Sequence, residues 1–529
     1  MRHPRRVTGT VSAEARRGAP VSEDTIAARP PAGQTGLKPN AIGFLDAMVI
    51  GLASTSPAYT IAAIIGGLVA FSGVHAPGIM LASFIPMLLI ASAFYYLNTV
   101  DQDCGTTFSW VTRAMGPWLG WIGGWAIAMT GVLIVGSLAE VGVRYSLLTF
   151  GLEDAAYDPV LIRVLTVVLI LVMTAICVWG TEISARLQNV LIVFQVLSLL
   201  AFAVFALVLV FSGDSPFDSL TPSWEWLNPF GGGWEGVTAG LLLGVFAYWG
   251  WESAVNLTEE TTNSSQAPGK AAIWSTIVLL ATYLSVTIAV VALAGESFLA
   301  ENADEEDAIF QILASETMGP WAWVVMLSVA TSAIASTQTT IIPASRTGLS
   351  MARRGALPKT FGHIHPRFRT PDVSTWWVAG IAIAYYLVVG LLSETALWDT
   401  LTALGLLIAF YYALTGIACA VYFRKRLTRS VKSFLLIGVG PVLGSLMLLW
   451  LLVAAIIDYG NPENSYTETP WFGVGPPLVI GVGIFLTGIV LMIVWYFRDR
   501  RFWAERPSTA EQPIVRIDAT TGRREGTDA

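Results

Sequence analysis

Charged residues are scarce in this sequence. Asp, Glu, Lys and Arg together make up 13% of the 529 residues, whereas apolar residues make up 54%. A soluble globular domain carries about 25% charged residues. The shortage of charge therefore excludes an ordinary soluble protein and predicts a chain that crosses a lipid bilayer many times. The formal net charge of −7 is distributed too unevenly to indicate a nucleic-acid partner, and none is expected.

Cysteine and histidine are also rare. The three cysteines, Cys104, Cys177 and Cys419, lie far apart with no CxxC or metal-binding spacing, so we expect buried apolar fillers. This pattern excludes a disulfide framework and predicts no cofactor. The four histidines form no HExxH or Ser-His-Asp pattern, which a membrane-embedded enzyme would need, so no enzymatic activity is expected.

Both ends of the chain lack long apolar runs. Residues 1–36 are rich in Arg, Ala, Pro and Gly, and residues 502–529 have a similar composition. Such segments cannot bury a core, so the sequence predicts a disordered basic tail at the N-terminus and a second disordered tail at the C-terminus. The first tail has no apolar stretch after its basic start and is not expected to be a secretory signal.

Long apolar runs occupy the region between the tails. Each is close to the ~20 residues that a helix needs to cross about 30 Å of hydrocarbon. The sequence therefore predicts twelve membrane spans, with approximate limits 41–71, 76–99, 117–147, 160–179, 187–212, 236–258, 271–294, 319–349, 373–393, 397–421, 433–457 and 473–497.

The loops between the spans differ in the sign of their charge. Segments 351–371 and 422–432 each carry five Lys or Arg residues. Segments 213–235 and 295–318 carry four and seven acidic residues and no basic ones. By the positive-inside rule, the basic loops and both tails are expected in the cytoplasm, with the protein in the plasma (inner) membrane. An even number of spans agrees with two cytoplasmic termini.

Two of the apolar runs are interrupted by small and polar residues. Residues 51–57 interrupt the first span, and residues 247–252 interrupt the sixth. Unsatisfied backbone groups cost several kcal/mol each in hydrocarbon, so a broken helix is tolerated only where it lines a buried polar cavity. Paired interruptions of this kind are the best sequence indication of a secondary transporter's binding site.

Three motifs stand in order along the chain, and together they resemble the amino acid–polyamine–organocation superfamily of permeases. The first leads into span three, the second is the aromatic-rich interruption of span six with the double acid after it, and the third is the basic loop after span eight. They comprise residues 103–108 with 116–125, residues 246–252 with 259–261, and residues 345–346 with 352–358 and 370–371.

The resemblance implies an all-α polytopic membrane protein with about 12 transmembrane helices. It implies a LeuT-like five-plus-five inverted repeat in which helices one and six are broken, followed by two further helices. The first span departs from the family, because residues 52–57 lack its Gly-x-Gly character. The implied limits are 37–212 for the first repeat, 213–425 for the second and 426–501 for helices 11 and 12.

The implied function is secondary active transport of an amino acid by alternating access, as ion-coupled uptake. A polyamine or organic-cation permease and an amino acid exchanger are the alternatives, and a non-transporting amino acid sensor is a third. The expected partners are a small-molecule amino acid, H⁺ or Na⁺ and the lipid bilayer, and the chain is a monomer or a homodimer.

Helix ends explain why an amino acid is the expected ligand. A half-helix that begins near Ser56 offers free N–H groups to a carboxylate, and a half-helix that ends near Tyr248 offers free carbonyls to an ammonium group. A polyamine would leave the N–H end unoccupied. The predicted substrate-binding residues are Ala53, Ser54, Thr55, Ser56, Phe246, Ala247, Tyr248, Trp249, Gly250 and Trp251.

Hydroxyl residues in span eight suggest a place for a coupling ion. Ser332, Ser336 and Thr340 recur at every fourth position and share one helix face, which the family fold turns towards span one. Together with carbonyls of the first break, Ser336 and Thr337 would form a sodium site. The alternative is that these hydroxyls bond to their own helix. Gln195 falls where some relatives have a lysine that replaces sodium, and an amide cannot titrate.

Three ionisable residues within spans are candidates for coupling or gating. Glu252 lies in the second break and is either a proton carrier or a hydrogen-bonding support for the break. Asp46 is predicted to pair with Arg346 as a cytoplasmic gate, or else to reach the lipid headgroups.

Overall fold

The structure is a computed structural model that describes residues 36–301, 306–392, 396–465, 467, 469–512, 515–517 and 524–526. Most of this part of the chain is helical. Two short strands, β1 (Val515–Ile517) and β2 (Arg524–Gly526), pair antiparallel. The α-helices are α1 Phe44–Thr55, α2 Pro57–Ser72, α3 Ala76–Val100, α4 Thr107–Met115, α5 Pro117–Thr149, α6 Glu153–Ala156, α7 Pro159–Trp179, α8 Thr181–Ser212, α9 Trp234–Ala247, α10 Ser253–Asn256, α11 Ala267–Glu301, α12 Glu306–Met318, α13 Ala322–Arg353, α14 Asp372–Leu392, α15 Ala396–Tyr422, α16 Val431–Ser433, α17 Gly440–Asp458 and α18 Pro476–Arg498.

Ten stretches of the described chain are long and apolar enough to cross a membrane. One of them, Phe44–Val100, contains both predicted spans one and two, because the turn at Gly73–His75 is itself helical. The sixth predicted span is a shorter apolar helix, Gly236–Ala247, that ends at its break. All twelve predicted spans therefore coincide with helices, and the all-α fold class is confirmed.

Two helices lie where the sequence predicted loops. α4 precedes span three and is almost entirely buried, although its arginine and hydroxyl residues made it too polar to count as a span. α12 occupies much of the acidic segment that follows span seven. Both helices are shorter than a bilayer crossing, so hydropathy alone could not identify them.

Small residues allow the central helices to pack closely. A Cβ atom on Gly131 of α5 would lie 3.1 Å from the carbonyl oxygen of Thr340 in α13. A Cβ atom on Gly142, three turns further along α5, would lie 2.9 Å from the Ile334 side chain. Close backbone approach through small residues is the usual way in which membrane helices associate. These close contacts hold α13 against α5. The other face of α13 is directed at α1 and α2.

The first part of the predicted C-terminal tail packs on the body of the protein. Phe502 is 1% exposed and joins an apolar cluster with Phe108 and Trp121. Glu505 forms an ion pair with Arg354, and Glu511 forms one with Arg429. The two aromatic side chains at 502 and 503 supply an apolar anchor that the low hydropathy of the whole segment concealed.

Candidate functional site

The first helix is broken at a single residue. Ser56 adopts left-handed backbone angles (φ 52°, ψ 61°) between α1 and α2, and its N–H donates to the carbonyl of Ala53 at 3.2 Å. Pro57 explains the break, because proline disfavours the right-handed helical conformation in the residue that precedes it. Proline is also well suited to the first position of the new helix, where its missing N–H costs nothing.

Hydroxyl groups satisfy the carbonyls that the first break exposes. Thr55 donates to the carbonyl of Leu52, and Thr60 donates to the carbonyl of Thr55, both at 2.7 Å. Ser336, from α13, donates to the carbonyl of Ser54 at 3.1 Å. The departure from the family's Gly-x-Gly pattern thus has a structural counterpart, since Ser and Thr side chains complete the hydrogen bonds that the broken helix loses.

The N-terminus of α2 is capped by a side chain from another helix. The N–H of Ala58 donates to the hydroxyl oxygen of Ser332 at 3.2 Å, and the hydroxyls of Ser56 and Ser332 lie 3.1 Å apart. The sequence predicted Ser332 to lie near the coupling ion. The structure instead places it at the N–H end of the break, where a carboxylate ligand would bind.

The second break lies directly against the first. α9 ends at Ala247, and the turns at 248–252 lead into α10. Gly250 has a φ of 119°, and a Cβ atom there would lie 2.7 Å from the carbonyl oxygen of Ser54. The hydroxyl oxygens of Ser54 and Ser253 are 2.7 Å apart. Gly250 is therefore the residue that allows the two broken helices to meet backbone to backbone.

Glu252 accepts three hydrogen bonds within the second break. The hydroxyls of Tyr411 and Tyr412 donate to its two carboxyl oxygens at 2.5 Å each, and the N–H of Gly250 donates at 3.2 Å. The indole N–H of Trp249 donates to Tyr411 in turn. These contacts tie the break to α15 and have the geometry of a support for the turn.

Aromatic rings surround the second break. Trp251 stacks on Tyr412 at 5.3 Å between ring centroids and meets the edge of Phe94 at 5.1 Å. Tyr248 packs at 5.8 Å from Phe84. The Tyr248 hydroxyl and the Trp251 indole N–H are buried and make no hydrogen bond within the described residues. Phe246, 9% exposed, completes the group of predicted aromatic residues at this site.

The hydroxyls of α13 divide into two sets. Ser336 faces the first break, and Thr340 lies 3.5 Å from it, hydroxyl to hydroxyl. Thr337 donates instead to the carbonyl of Ala333 in its own helix at 2.8 Å. The set that could coordinate a small cation is therefore the Ser54 carbonyl with Ser336 and Thr340. The Thr337 hydroxyl does not point towards this set.

Gln195 is fully buried in α8, beside the same face of α13. Its backbone carbonyl accepts from Ser328, one turn before Ser332, at 3.5 Å. Neither atom of its side-chain amide has a hydrogen-bond partner among the described residues. Burying an amide without hydrogen-bond partners costs free energy. The Gln195 amide is therefore available to bond a water molecule, an ion or a ligand.

The predicted pair between Asp46 and Arg346 does not form. Asp46 accepts from the N–H of Gly43 at 2.9 Å and from the side-chain amide of Asn189 at 2.8 Å. Asp46 lies in the first turn of α1, where a carboxylate caps free N–H groups and favours the helix dipole. These local contacts hold it away from Arg346.

Arg346 pairs with Glu260, which follows the second break. Their closest N–O distance is 2.9 Å, and the two side chains are 1% and 0% exposed. Thr181 at the start of α8 donates to Glu260 and accepts from Arg346. Glu260 was not a predicted partner of Arg346, although the two residues belong to the motifs after span six and span eight.

A second ion pair lies beside the first. Arg353 binds Glu259 at 3.0 Å, and the backbone N–H of Cys104 donates to the same carboxylate at 3.1 Å. Together, Arg346, Glu260, Arg353 and Glu259 join the end of α13 to the segment after α10. We name these four residues the gate cluster.

The sequence of this chain is similar to sequences of known membrane proteins. The model of the amino acid permease family matches residues 42–495. The branched-chain amino acid permease BcaP of Bacillus subtilis is 24% identical over 479 residues, which cover 83% of this chain and 95% of that protein. The Asc-type amino acid transporter 1 of Homo sapiens is 24% identical over 452 residues, covering 82% and 78%.

A solved structure supports the fold independently. A manganese transporter from Eremococcus coleocola superposes with a TM-score of 0.53 at 16% identity, over 86% of this chain and 94% of that one. At this level of identity the similarity concerns the fold alone.

Proposed function

This chain belongs to the amino acid permease family and is a multi-pass membrane protein, and from that premise we propose that it is a secondary active transporter of an α-amino acid. It works by alternating access in the plasma membrane, with both termini in the cytoplasm. The contact between the two broken helices carries the proposal. At Gly250 and Ser54 the ends of two interrupted helices meet in one buried place, as expected for a transporter binding site.

The two ends of the break suit the two charges of an amino acid. The carboxylate would bind at the N-terminus of α2, where the Ala58 N–H now donates to Ser332. The ammonium group would bind at carbonyls near the end of α9, beside Tyr248. In a free amino acid these groups are separated by about one hydrogen-bond length. A polyamine has no group for the first position, which favours the amino acid.

The surroundings of the break favour a neutral side chain on the substrate. Phe84, Phe94, Tyr248 and Trp251 present apolar ring surface, and the carboxyl group of Glu252 is occupied by three donors. The relatives include permeases for branched-chain amino acids, which is consistent with such a pocket. We therefore expect a neutral amino acid rather than a basic or acidic one.

Uptake into proteoliposomes tests this function. Purified protein would be assayed with labelled leucine, serine, lysine and putrescine, with a Na⁺ or a proton gradient imposed in turn. We expect saturable, gradient-driven uptake of a neutral amino acid and no uptake of putrescine. Uptake of putrescine alone would contradict the proposal, and binding of an amino acid without any transport would indicate a sensor.

Sodium is the coupling ion that the oxygen groups around the first break favour. The Ser54 carbonyl and the hydroxyls of Ser336 and Thr340 are hard oxygen ligands, and Gln195, at the position where some relatives have a lysine, cannot carry a proton. If uptake instead followed a proton gradient without Na⁺, the coupling would have to pass through another group, and Glu252 would be the candidate.

Replacing Ser336 by alanine tests the coupling site. We expect the Na⁺ concentration for half-maximal uptake to rise about tenfold, because one oxygen ligand is lost at a cost of roughly 1 kcal/mol or more. Thr337→Val is the matched control, since that hydroxyl bonds only to the carbonyl of Ala333 in its own helix. Equal changes in the two variants would place the ion elsewhere.

A further inference from the structure

A separate cavity opens at the corner between α7 and α8. Its volume is about 260 Å³, several times the roughly 30 Å³ that one water molecule occupies in the liquid. Its walls come from three parts of the chain: the corner itself at 179–183, the segment before α1, and the loop after α13 at 367–369. None of the predicted substrate-binding residues lines it.

Basic side chains dominate the lining of this cavity. Lys38, Arg367 and Arg369 face one acidic residue, Glu182, so the lining carries two net positive charges. Lys38 pairs with Glu182 at 2.8 Å. Arg369 donates from Nε to the carbonyl of Gly36 at 3.0 Å. Its terminal nitrogens form no hydrogen bond to any described residue.

Arg367 has the least satisfied of these charges. Its guanidinium carbon lies 5.5 Å from the centroid of the Phe368 ring. The guanidinium nitrogens make no hydrogen bond or ion pair with the described residues. A guanidinium group offers five N–H donors in a fork that matches phosphate geometry. The cavity therefore provides an unused anion-binding group beside two further cations.

Exposed apolar side chains also line the cavity. Trp179 is 53% exposed and Ile183 is 50% exposed, and both belong to the lining. The neighbouring outward faces of α7 and α8 also expose apolar residues, including Val172 and Val190. Tryptophan is enriched where a membrane helix meets the headgroup layer. The site thus combines basic and exposed apolar side chains at the end of two spanning helices.

We propose that this cavity binds the phosphate-bearing headgroup of an anionic phospholipid, with the acyl chains lying along α7 and α8. Basic pockets between membrane helices on the cytoplasmic side recognise such headgroups. A soluble phosphate ester would use the same guanidinium donors but would gain nothing from the exposed apolar surface of Trp179 and Ile183. This apolar surface is the observation that favours a lipid as the source of the phosphate.

The bound lipid would also support the gate cluster. Two lining residues, Ala41 and Thr181, are hydrogen-bonded to Glu260. The backbone N–H of Ala41 donates to the backbone carbonyl of Glu260 at 2.7 Å, and the hydroxyl of Thr181 donates to its carboxylate. A headgroup that holds Lys38 and Arg367 therefore fixes the start of span one beside the Arg346–Glu260 pair. We expect anionic lipid to raise the thermal unfolding midpoint of the protein.

Native mass spectrometry of the full-length protein in detergent tests the assignment. We would measure the apparent Kd for phosphatidylglycerol and for phosphatidylcholine, for the unmodified protein and for Lys38→Gln/Arg367→Gln. The matched control is Arg424→Gln/Lys425→Gln, which removes the same charge from exposed positions in the other basic loop. Elution volume on size exclusion would show that all three proteins are folded.

We expect phosphatidylglycerol to bind at least tenfold more tightly than phosphatidylcholine to the unmodified protein. The pocket variant should lose about 25-fold in affinity, at roughly fivefold for each basic side chain. The control should change less than twofold. Equal losses in both variants, or equal binding of the two lipids, would overturn the proposal. Displacement of phosphatidylglycerol by millimolar glycerol 3-phosphate would also overturn it, because the ligand would then be a soluble phosphate ester.

Discussion

Gly250→Ala is expected to abolish substrate binding while the protein still inserts into the membrane. The new methyl group would lie 2.7 Å from the Ser54 carbonyl oxygen and 3.0 Å from the Thr55 nitrogen, both rigid backbone atoms. The φ of 119° is also unfavourable for any residue with a Cβ atom. Overpacking of this kind costs about 1–3 kcal/mol, and the contact can be relieved only by separating the two broken helices.

Measurements of uptake and ligand binding would detect the separation of the two breaks. We expect at least a 100-fold loss of uptake at a fixed substrate concentration in proteoliposomes, with normal expression and elution volume. Gly380→Ala is the matched control, because a Cβ atom at that helical position would meet nothing within 4 Å. If Gly250→Ala transported as well as Gly380→Ala, the contact between the breaks would not be part of the binding site.

The positions of the two breaks could be predicted because local chemistry determines them. Pro57 disfavours the helical conformation in Ser56, and Gly250 permits a backbone conformation that other residues avoid. The groups that complete the hydrogen bonds of the breaks come from distant parts of the sequence. Ser332 and Ser336 reach Ser56 and the Ser54 carbonyl across 276 and 282 residues of sequence. Helical spacing placed both serines on one face, but only the packed structure shows which of them meets an N–H group and which a carbonyl.

The partner of Arg346 shows what charge alone cannot predict. Asp46 and Glu260 were both acids at the ends of broken spans, and either could have balanced Arg346. Asp46 is satisfied three residues away by the N–H of Gly43, whereas Glu260 reaches Arg346 across 86 residues. The first contact is local and could have been inferred from the start of the helix. The second depends on how α13 packs against the segment after α10.

The packing of the start of the C-terminal segment could not be predicted for a related reason. Composition averaged over residues 502–529 is polar, and an average conceals two adjacent aromatic residues at its start. Phe502 and Trp503 are 1% and 9% exposed. Their partners, Phe108 and Trp121, belong to the motif that leads into span three. A short apolar anchor followed by ion pairs can order a segment whose overall composition resembles a tail.

Removing one partner of the Arg346–Glu260 pair should separate the helices around the gate cluster. Arg346→Met leaves Glu260 buried without its cation, and breaking a buried pair in this way costs roughly 3–5 kcal/mol. The double variant Arg346→Met/Glu260→Leu removes both charges and should recover most of that loss. Arg501→Met is the control, because its pair with Asp499 is exposed and such pairs contribute at most about 1 kcal/mol.

Cys104 offers a direct measure of that separation. Its thiol is buried and lies 3.5 Å from the carbonyl oxygen of Arg346, so it reacts only when this region separates. With Cys177 and Cys419 replaced by alanine, we expect Arg346→Met to raise the rate of maleimide labelling at least 100-fold, since about 1.4 kcal/mol corresponds to a factor of ten. The double variant should label within tenfold of the parent protein. If the single variant labelled no faster than Arg501→Met, the buried pair would not hold this region closed, and a gate would have to lie among other contacts.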